Sequence, residues 1–334
     1  MNVRTPSFWW RPAGLLSTLL APLGLPYGFV TTSRMRRKAR HRSSVPVICV
    51  GNFVAGGAGK TPVAIAIGAL LTTRGKMPAF LSRGYRGTLA GPVEVATGTH
   101  SAAEVGDEPL LLARAGRTVV AADRKAGADA IGTAPGTVIV MDDGFQSPTL
   151  AKTLSLVVVD GAVGIGNGAC VPAGPLRAPL AAQLPRADAI VILGTGDAGE
   201  EFAIRAAAAR KPVFHATLVP DEAARSLAGK KVLAYAGIGR PEKFVTTLQA
   251  LGADVVALKA FPDHHGFSEA DARELLAEAD RLGALLVTTQ KDAVRLSGAT
   301  QDALRRLHAE STVVSVSCRF EDAAALADFV LSRL

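Results

Sequence analysis

The sequence predicts an α/β chain: a parallel sheet flanked by helices, a second and smaller α/β unit after it, and an apolar, basic helical segment ahead of both. Three observations carry this prediction. Short β-branched runs alternate with Ala- and Leu-rich helical stretches from Val45 onward, the order that builds parallel sheets covered on both faces. The alternation restarts at Lys231 with its own strands and helices. The first acidic residue is Glu94, so the N-terminal end is wholly basic. The expected division is 1–44 for the apolar and basic segment, 45–228 for the first unit and 229–334 for the second.

With 334 residues, 49% hydrophobic and 20% charged, the chain is large enough for two packed cores and too apolar for a disordered one. Aromatics are only 5%, so the cores rest on Ala, Val, Leu and Ile. Cys49, Cys170 and Cys318 lie far apart and form no C-x-x-C, which argues against a zinc site or a disulfide framework and fits a reducing compartment. The net charge of +8 would ordinarily raise nucleic-acid binding. Here the excess belongs to residues 1–93, which hold 13 Lys and Arg and no acid, and no nucleic-acid partner is expected.

Val45–Val63, VPVICVGNFVAGGAGKTPV, organises the first unit. A buried strand breaks into a glycine loop, then Lys60-Thr61, then a helix from Pro62 to Thr73, the layout of a phosphate-binding P-loop. Val54, Ala55, Gly56, Gly57, Ala58, Gly59, Lys60 and Thr61 are the expected nucleotide-binding residues. Glycines let backbone N–H groups curl around phosphate oxygens, and the helix N-terminus adds partial positive charge. Lys60 can reach the β- and γ-phosphates, and the Thr61 hydroxyl can hold Mg²⁺. The strict pattern wants glycine where this chain has Val54.

Ahead of the loop, Phe8-Trp9-Trp10 holds both tryptophans, and Gly14–Val30 is apolar with Pro22 and Pro26 inside it. Arg34, Arg36, Arg37, Lys38, Arg40 and Arg42 follow, while only Arg4 and Arg11 precede. A spanning helix needs about 20 apolar residues, and two prolines weaken that reading. A signal peptide would carry its charges first. The expectation is an interfacial foot, with aromatic and leucine side chains in the lipid boundary and the bases on anionic headgroups.

Further along, Ala79–Ser82 reads as a strand, followed by the cationic glycine loop Arg83-Gly84-Tyr85-Arg86-Gly87, which suits a phosphate ligand or a solvated turn equally. Asp107, before the helix Leu110–Ala115, reads as an N-cap or a catalytic carboxylate, and the residues alone favour the cap. Thr118–Ala122 is a strand ending in Asp123-Arg124. Thr137–Met141 is a strand ending in Asp142-Asp143, the Walker B arrangement, which holds Mg²⁺ directly or through water. Strands follow at Leu154–Asp160 and Ala189–Leu193, with a long Gly/Pro-rich loop between them, and Pro212–Val219, bracketed by prolines, is expected at a sheet edge. The second unit reads as strands Val232–Ala236, Asp254–Lys259, Leu285–Thr289 and Thr312–Ser317, closed by the helix Ala323–Leu331. Ser268 and Asp271 form an expected capping pair. In Asp263-His264-His265, adjacency sends the two rings in different directions, which suits a general base or its partner better than a metal pair.

Together these pieces resemble the tetraacyldisaccharide 4′-kinase family, the lipid A 4′-kinases of Gram-negative bacteria. The resemblance runs in order through VGN and GGAGKTP at 50–62, SRGY at 82–85, GDEPLLLA at 106–113, DDGFQ at 142–146, VVVDG at 157–161, GNG and PAGPLR at 166–177, AGIGRPEKF at 236–244, FPDHH at 261–265 and KDAV at 291–294. It implies a P-loop NTPase-like kinase using ATP and Mg²⁺ to phosphorylate the 4′-hydroxyl of a lipid A disaccharide 1-phosphate, giving lipid IV-A. By the same resemblance Asp107 and His264 form a catalytic dyad, which overturns the cap preference. Asp142 and Asp143, with Thr61, serve the metal, and Arg83, Arg124 and Arg177 are candidate phosphate ligands. It further implies a peripheral or monotopic enzyme on the cytoplasmic face of the inner membrane, with no protein partner. Ser147, Ala178 and Gln290 depart from the residues the family usually carries, His, Glu and Glu. The alternative is a membrane-attached P-loop GTPase or partitioning-type ATPase, although Thr289-Gln290-Lys291-Asp292 lacks the N-K-x-D spacing that reads guanine.

Overall fold

The computed structural model describes residues 6–334. Arg4, part of the expected foot, lies outside the described residues. Eight strands of the first unit appear in chain order as β1 Val47–Asn52, β2 Met77–Ser82, β3 Val93–Glu94, β4 Thr118–Val120, β5 Thr137–Asp142, β6 Leu154–Asp160, β7 Ala189–Leu193 and β8 Val213–Pro220. The remaining strands are β9 Lys231–Ala236, β10 Asp254–Ala260, β11 Leu285–Thr289, β12 Thr312–Val314 and β13 Val316–Phe320. They form a nine-stranded sheet, ordered β13-β8-β7-β6-β1-β5-β2-β4-β3, and a four-stranded parallel sheet, ordered β10-β9-β11-β12. The nine-stranded sheet is parallel except at its rims, where β3 and β13 run antiparallel to their neighbours. Strands β1, β5 and β6 are buried along their whole length, as expected of apolar runs covered on both faces.

The large core has two halves, one on each face of the nine-stranded sheet. On one face Val63, Ile67 and Leu71 of the helix Lys60–Thr73 pack with Val50, Val140 and Leu156. On the other, Cys49, Met141 and Val159 pack with Phe53, Phe145 and Phe202. The smaller sheet is covered likewise, with Phe244 and Leu248 on one face and Leu275, Leu276 and Leu307 on the other.

Two expectations are corrected. Pro212–Val219 is not an edge: β8 lies between β7 and β13, and its Pro220 sits at the end of the pairing, opposite Val316. The expected strand Thr312–Ser317 is two strands in two sheets, so the stretch expected to close the second unit returns to the first. The reason is burial: Phe320, Leu326 and Val330 join the core beside the P-loop helix, where they cover surface that β8 would otherwise expose.

The apolar N-terminal stretch is one helix, Leu15–Met35, which passes through Pro22 and Pro26. Its inward face is small: Ser17, Gly24 and Gly28 are buried, the Ser17 hydroxyl donates to the Ala173 carbonyl at 2.8 Å, and the two glycines bring the helix backbone onto Cys170 and Pro179. Apart from Met35 at its end, which is buried, its large side chains mostly point away from the protein, with Leu15 and Phe29 78% and 74% exposed. The Trp9 indole N–H donates to the Pro172 carbonyl at 2.9 Å and ties the segment to the same loop.

If the C-terminal helix is part of the core beside the P-loop helix, Leu326→Ala should cost about 2–5 kcal/mol, the usual range for emptying a buried leucine site. Urea unfolding measures it, and a loss below about 1 kcal/mol would mean this helix rests on the surface.

Candidate active site

The P-loop leaves β1 between β5 and β6, at the carboxyl end of the sheet where open α/β sheets bind ligands. Its first limb is strapped to the Gly/Pro-rich loop: the Ala55 N–H donates to the Pro175 carbonyl at 2.7 Å, and Val54 forms an extended bridge with Leu176. A residue in a bridge needs no positive φ, which is why valine serves where the strict motif has glycine. Gly59 does need to be glycine. Its φ is +77°, and a Cβ there would lie 2.2 Å from Leu193. Lys60 and Thr61 open the helix and are buried, so the free N–H groups of its first turn face the loop.

Behind the loop, β5 delivers Asp142 and Asp143. The Thr61 hydroxyl donates to Asp142 Oδ2 at 2.9 Å, while Asp142 Oδ1 is buried with no partner. Burial first, and the Glu108 carboxylate second, push Asp142 up to about 7. A buried carboxylate oxygen without a protein partner, next to a hydroxyl and other acids, is a donor set that suits a divalent cation. Asp142 and Thr61 fit Mg²⁺ and would hold it. Asp143 takes a left-handed backbone, φ 52°, and turns toward the bases: Arg177 grips it with both terminal nitrogens at 2.8 and 3.1 Å, and Lys60 Nζ is 3.7 Å away. Burial opposes its charge, but Lys60 and Arg177 outweigh burial and hold it well below the usual carboxylate range.

Asp107 is the first residue of the helix Asp107–Ala115, which packs against the P-loop helix. The cap position belongs to Gly106, so the residue-based expectation of an N-cap is corrected. Asp107 Oδ1 accepts the Glu108 N–H at 2.9 Å, and Oδ2 lies 3.0 Å from His264 Nδ1. His264 comes from the loop after β10, held at φ 56° with its own N–H donated to Gly237 O. The two sheets therefore meet at this pair. His265 turns the other way, to Asp271 at 3.0 Å, and Asp271 closes the expected capping box with Ser268. Burial would raise Asp107, but the His264 bond and the Lys291 and Arg295 charges hold it far below the ordinary range.

The helix Gln290–Leu296 adds three groups that the sequence did not single out for this site. Lys291 Nζ pairs with Glu108 at 2.8 Å, Asp292 accepts the Gly237 N–H at 2.9 Å, and Arg295 donates to Asp107 from Nε at 2.9 Å and from Nη2. Lys291 and Asp292 are thus committed inward and are not laid out to read a guanine. Asp160, at the tip of β6, was also missed: it is clamped by Arg240 and by Lys243, whose ammonium lies 2.9 and 2.7 Å from its two oxygens. An aspartate ending a buried strand, like Asp142, was the available signal.

The candidate arginines separate. Arg177 is spent on Asp143 and on the Val54 carbonyl. Arg124 is buried, donates from Nη2 to the Asp142 and Asp143 carbonyls at 3.3 and 2.9 Å, and keeps Nη1 unpartnered. Arg83 is exposed and lines a cleft of about 370 Å³ with Tyr85 and Arg86. Of the unusual positions, Ser147 bonds Thr149, and Ala178 is fully buried beside Gln183, whose amide takes its carbonyl at 2.6 Å. Gln290 is the first residue of its helix.

Because Asp142 is a carboxylate in surroundings that resist its charge, Asp142→Asn should raise the ligand-free melting temperature by about 2–4 °C, the shift that 1 kcal/mol makes in a large domain. The same change should remove the further rise given by Mg²⁺ and ATP, both read by thermal unfolding at pH 8.

The profile of the family described as tetraacyldisaccharide-1-P 4′-kinase, LpxK, matches residues 16–334. A tetraacyldisaccharide 4′-kinase from a Bradyrhizobium species is 50% identical over 333 residues, covering 99% of this chain and 96% of that one. Another, from Methylorubrum extorquens, is 54% identical over 303 residues, covering 90% and 92%. Among solved structures, LpxK from Aquifex aeolicus in complex with ATP superposes with a TM-score of 0.69 at 25% identity, covering 96% of this chain and 99% of its own. Matched over nearly its whole length, and carrying a P-loop with a carboxylate–histidine pair beside it, the chain belongs to the tetraacyldisaccharide-1-P 4′-kinase family.

Proposed function

We propose that this chain transfers the γ-phosphoryl group of ATP to the 4′-hydroxyl of a tetraacyldisaccharide 1-phosphate, giving the bisphosphorylated lipid IV-A. The observation that carries the reading is the contact of Asp107 with His264 at 3.0 Å, formed next to the P-loop helix rather than apart from it. The N–H groups of the loop and of the first turn of the P-loop helix bind the phosphates, and Lys60 adds a positive charge at the β- and γ-positions. Thr61 and Asp142 would hold Mg²⁺, which would supply charge neutralisation on the transferring phosphoryl oxygens. Asp143 keeps Lys60 and Arg177 aimed at the same place. As the sugar hydroxyl bonds to the γ-phosphorus, the bridging bond to ADP breaks and Asp107 accepts the hydroxyl proton. His264 orients that carboxylate. Arg83, exposed beside the cleft, is a candidate for the substrate's own phosphate.

The helix Leu15–Met35 serves as a monotopic foot on the cytoplasmic face of the inner membrane. Its outward leucines and phenylalanine enter the lipid boundary, and the bases from Arg34 to Arg42 meet anionic headgroups. Such a foot suits a substrate whose acyl chains stay in the bilayer. The working parts are then the foot, 1–44, the kinase unit, 45–228 with 316–334 returned to it, and the smaller unit from 229, which brings His264 to the acceptor.

Incubation with ATP, Mg²⁺ and a tetraacyldisaccharide 1-phosphate in detergent should yield a bisphosphorylated lipid by mass spectrometry. GTP hydrolysis with the lipid untouched would overturn the reading. Asp107→Ala should lower kcat by about 10²–10⁴-fold, the usual contribution of a general base, with ATP binding nearly unchanged by calorimetry. Replacing Leu19 and Phe29 by serine should weaken sedimentation with anionic vesicles and leave turnover of a detergent-dispersed substrate within about twofold, since neither side chain approaches the P-loop.

A further inference from the structure

The short helix Gln290–Leu296 sends two cations, four residues apart on one face, to two consecutive acids of the other unit. We propose that Arg295 is a positioning residue of the phosphoryl transfer: it fixes the Asp107 carboxylate through one oxygen, leaves the other oxygen for the substrate proton, and makes this arrangement depend on docking of the smaller unit. The inference rests on the reading of Asp107 as proton acceptor and extends it.

Arg295 is 6% exposed and its fork is almost fully used. Nε and Nη2 both donate to Asp107 Oδ2, the oxygen that also meets His264. Nη1 donates to Asp292 Oδ1 and to the Gly237 carbonyl, each at 2.7 Å. Asp107 Oδ1 is left with one contact, the Glu108 N–H, and so keeps an open lone pair. The base of this support is rigid. Asp292 is fully buried and is also held by the Thr289 hydroxyl at 2.6 Å and the Gly237 N–H. Gly237 packs closely under the pair: a Cβ there would lie 3.1 Å from Asp292 Oδ1 and 3.2 Å from Arg295 Nη1 and would crowd both.

Stability alone gives no reason for this construction. A buried ion pair seldom beats apolar side chains of similar volume, because both charges lose their water. What the pair supplies is a direction for the carboxylate and a charge that keeps it ionised. Three cationic or ionisable groups face Asp107: Arg295, His264 and, from one turn earlier, Lys291. Glu108 and Asp292 oppose them, and Asp263 touches the far side of the His264 ring at 3.8 Å. Without Arg295, burial acts on Asp107 with less to balance it. The carboxyl group then holds its proton to higher pH and is a poorer acceptor at the acid end.

The test uses the full chain with Arg295→Met and Arg295→Lys. In Arg295→Met the Asp107 carboxyl should titrate about 1–3 pH units higher, the effect of one opposite charge at contact distance, so that kcat falls more on the acid limb of its pH profile than at pH 8. The KM for ATP should stay within about twofold, a change too small to account for the limb. Arg295→Lys restores the charge without the fork and should recover most of the limb. A uniform fall of kcat at every pH, or an unmoved profile, would overturn the proposal, the first because it indicates packing alone. If Arg295→Met does not fold, Arg295→Gln takes its place. The ¹³C carboxyl titration of Asp107, assigned by difference with Asp107→Asn, gives the same ordering without turnover: titration at the wild-type pH in Arg295→Met also overturns it. An inactive wild-type chain would defeat the proposed function and leave this titration to decide the inference.

Discussion

Four carboxylates, Asp107, Glu108, Asp142 and Asp143, are gathered behind the phosphate loop, and the rest of the site answers the repulsion among them. Three of them are answered by bases from other elements. Asp143 is held by Arg177 from the Gly/Pro-rich loop and by Lys60 from the P-loop helix. Glu108 is held by Lys291, and Asp107 by Arg295 and His264, all from the smaller unit. The Asp142 carboxylate alone of the four makes no ion pair among the described residues, and one of its oxygens is buried and unpartnered. In a low-dielectric pocket such a cluster stands only if positive charge comes from outside it. The first sheet supplies part of that charge, the smaller unit supplies more, and a metal brought with ATP would supply the rest. The site is therefore complete only when both units are together.

The same economy of surface explains the N-terminal helix. A helix of a soluble protein turns its large apolar residues inward and its small or polar residues outward. Here Ser17, Gly24 and Gly28 face the protein, and the leucines face away. Small residues give close backbone contact with little apolar area, so packing on the protein leaves the hydrophobic face free for another apolar phase. Pro22 and Pro26 each lack an N–H, yet the helix continues through both, and the segment is tied to the loop around Ala173 by Ser17 and Trp9.

Much of this was legible in the linear order of residues. The β-branched runs before residue 220, the glycine loop with Lys60-Thr61 and the paired aspartates after a strand are local patterns, and each is a consequence of local geometry: strand period, turn conformation, helix start. The capping box at Ser268 was legible for the same reason. Elements whose signal is tertiary were not. The helix Gln290–Leu296 is only about two turns of mixed polarity, with no period of its own to read. The split of residues 312–320 between two sheets has no local mark, because Val314 and Val316 suit a strand equally well wherever the strand pairs.

By itself, then, the order of residues determined the parallel sheets, the phosphate loop, the strand-end aspartates and the asymmetric charge of the N-terminus, all of which depend on neighbours within a few positions. Only the tertiary structure decided which charges meet: that Arg177 serves Asp143, that Arg295 and Lys291 cross from one unit to the acids of the other, and that the last strand returns to the first sheet. Those partners are between 34 and 188 residues apart where their separations bear on the site. Charge pairing at such separations is set by where the sheets dock, and docking follows from buried area, which no short stretch of sequence contains.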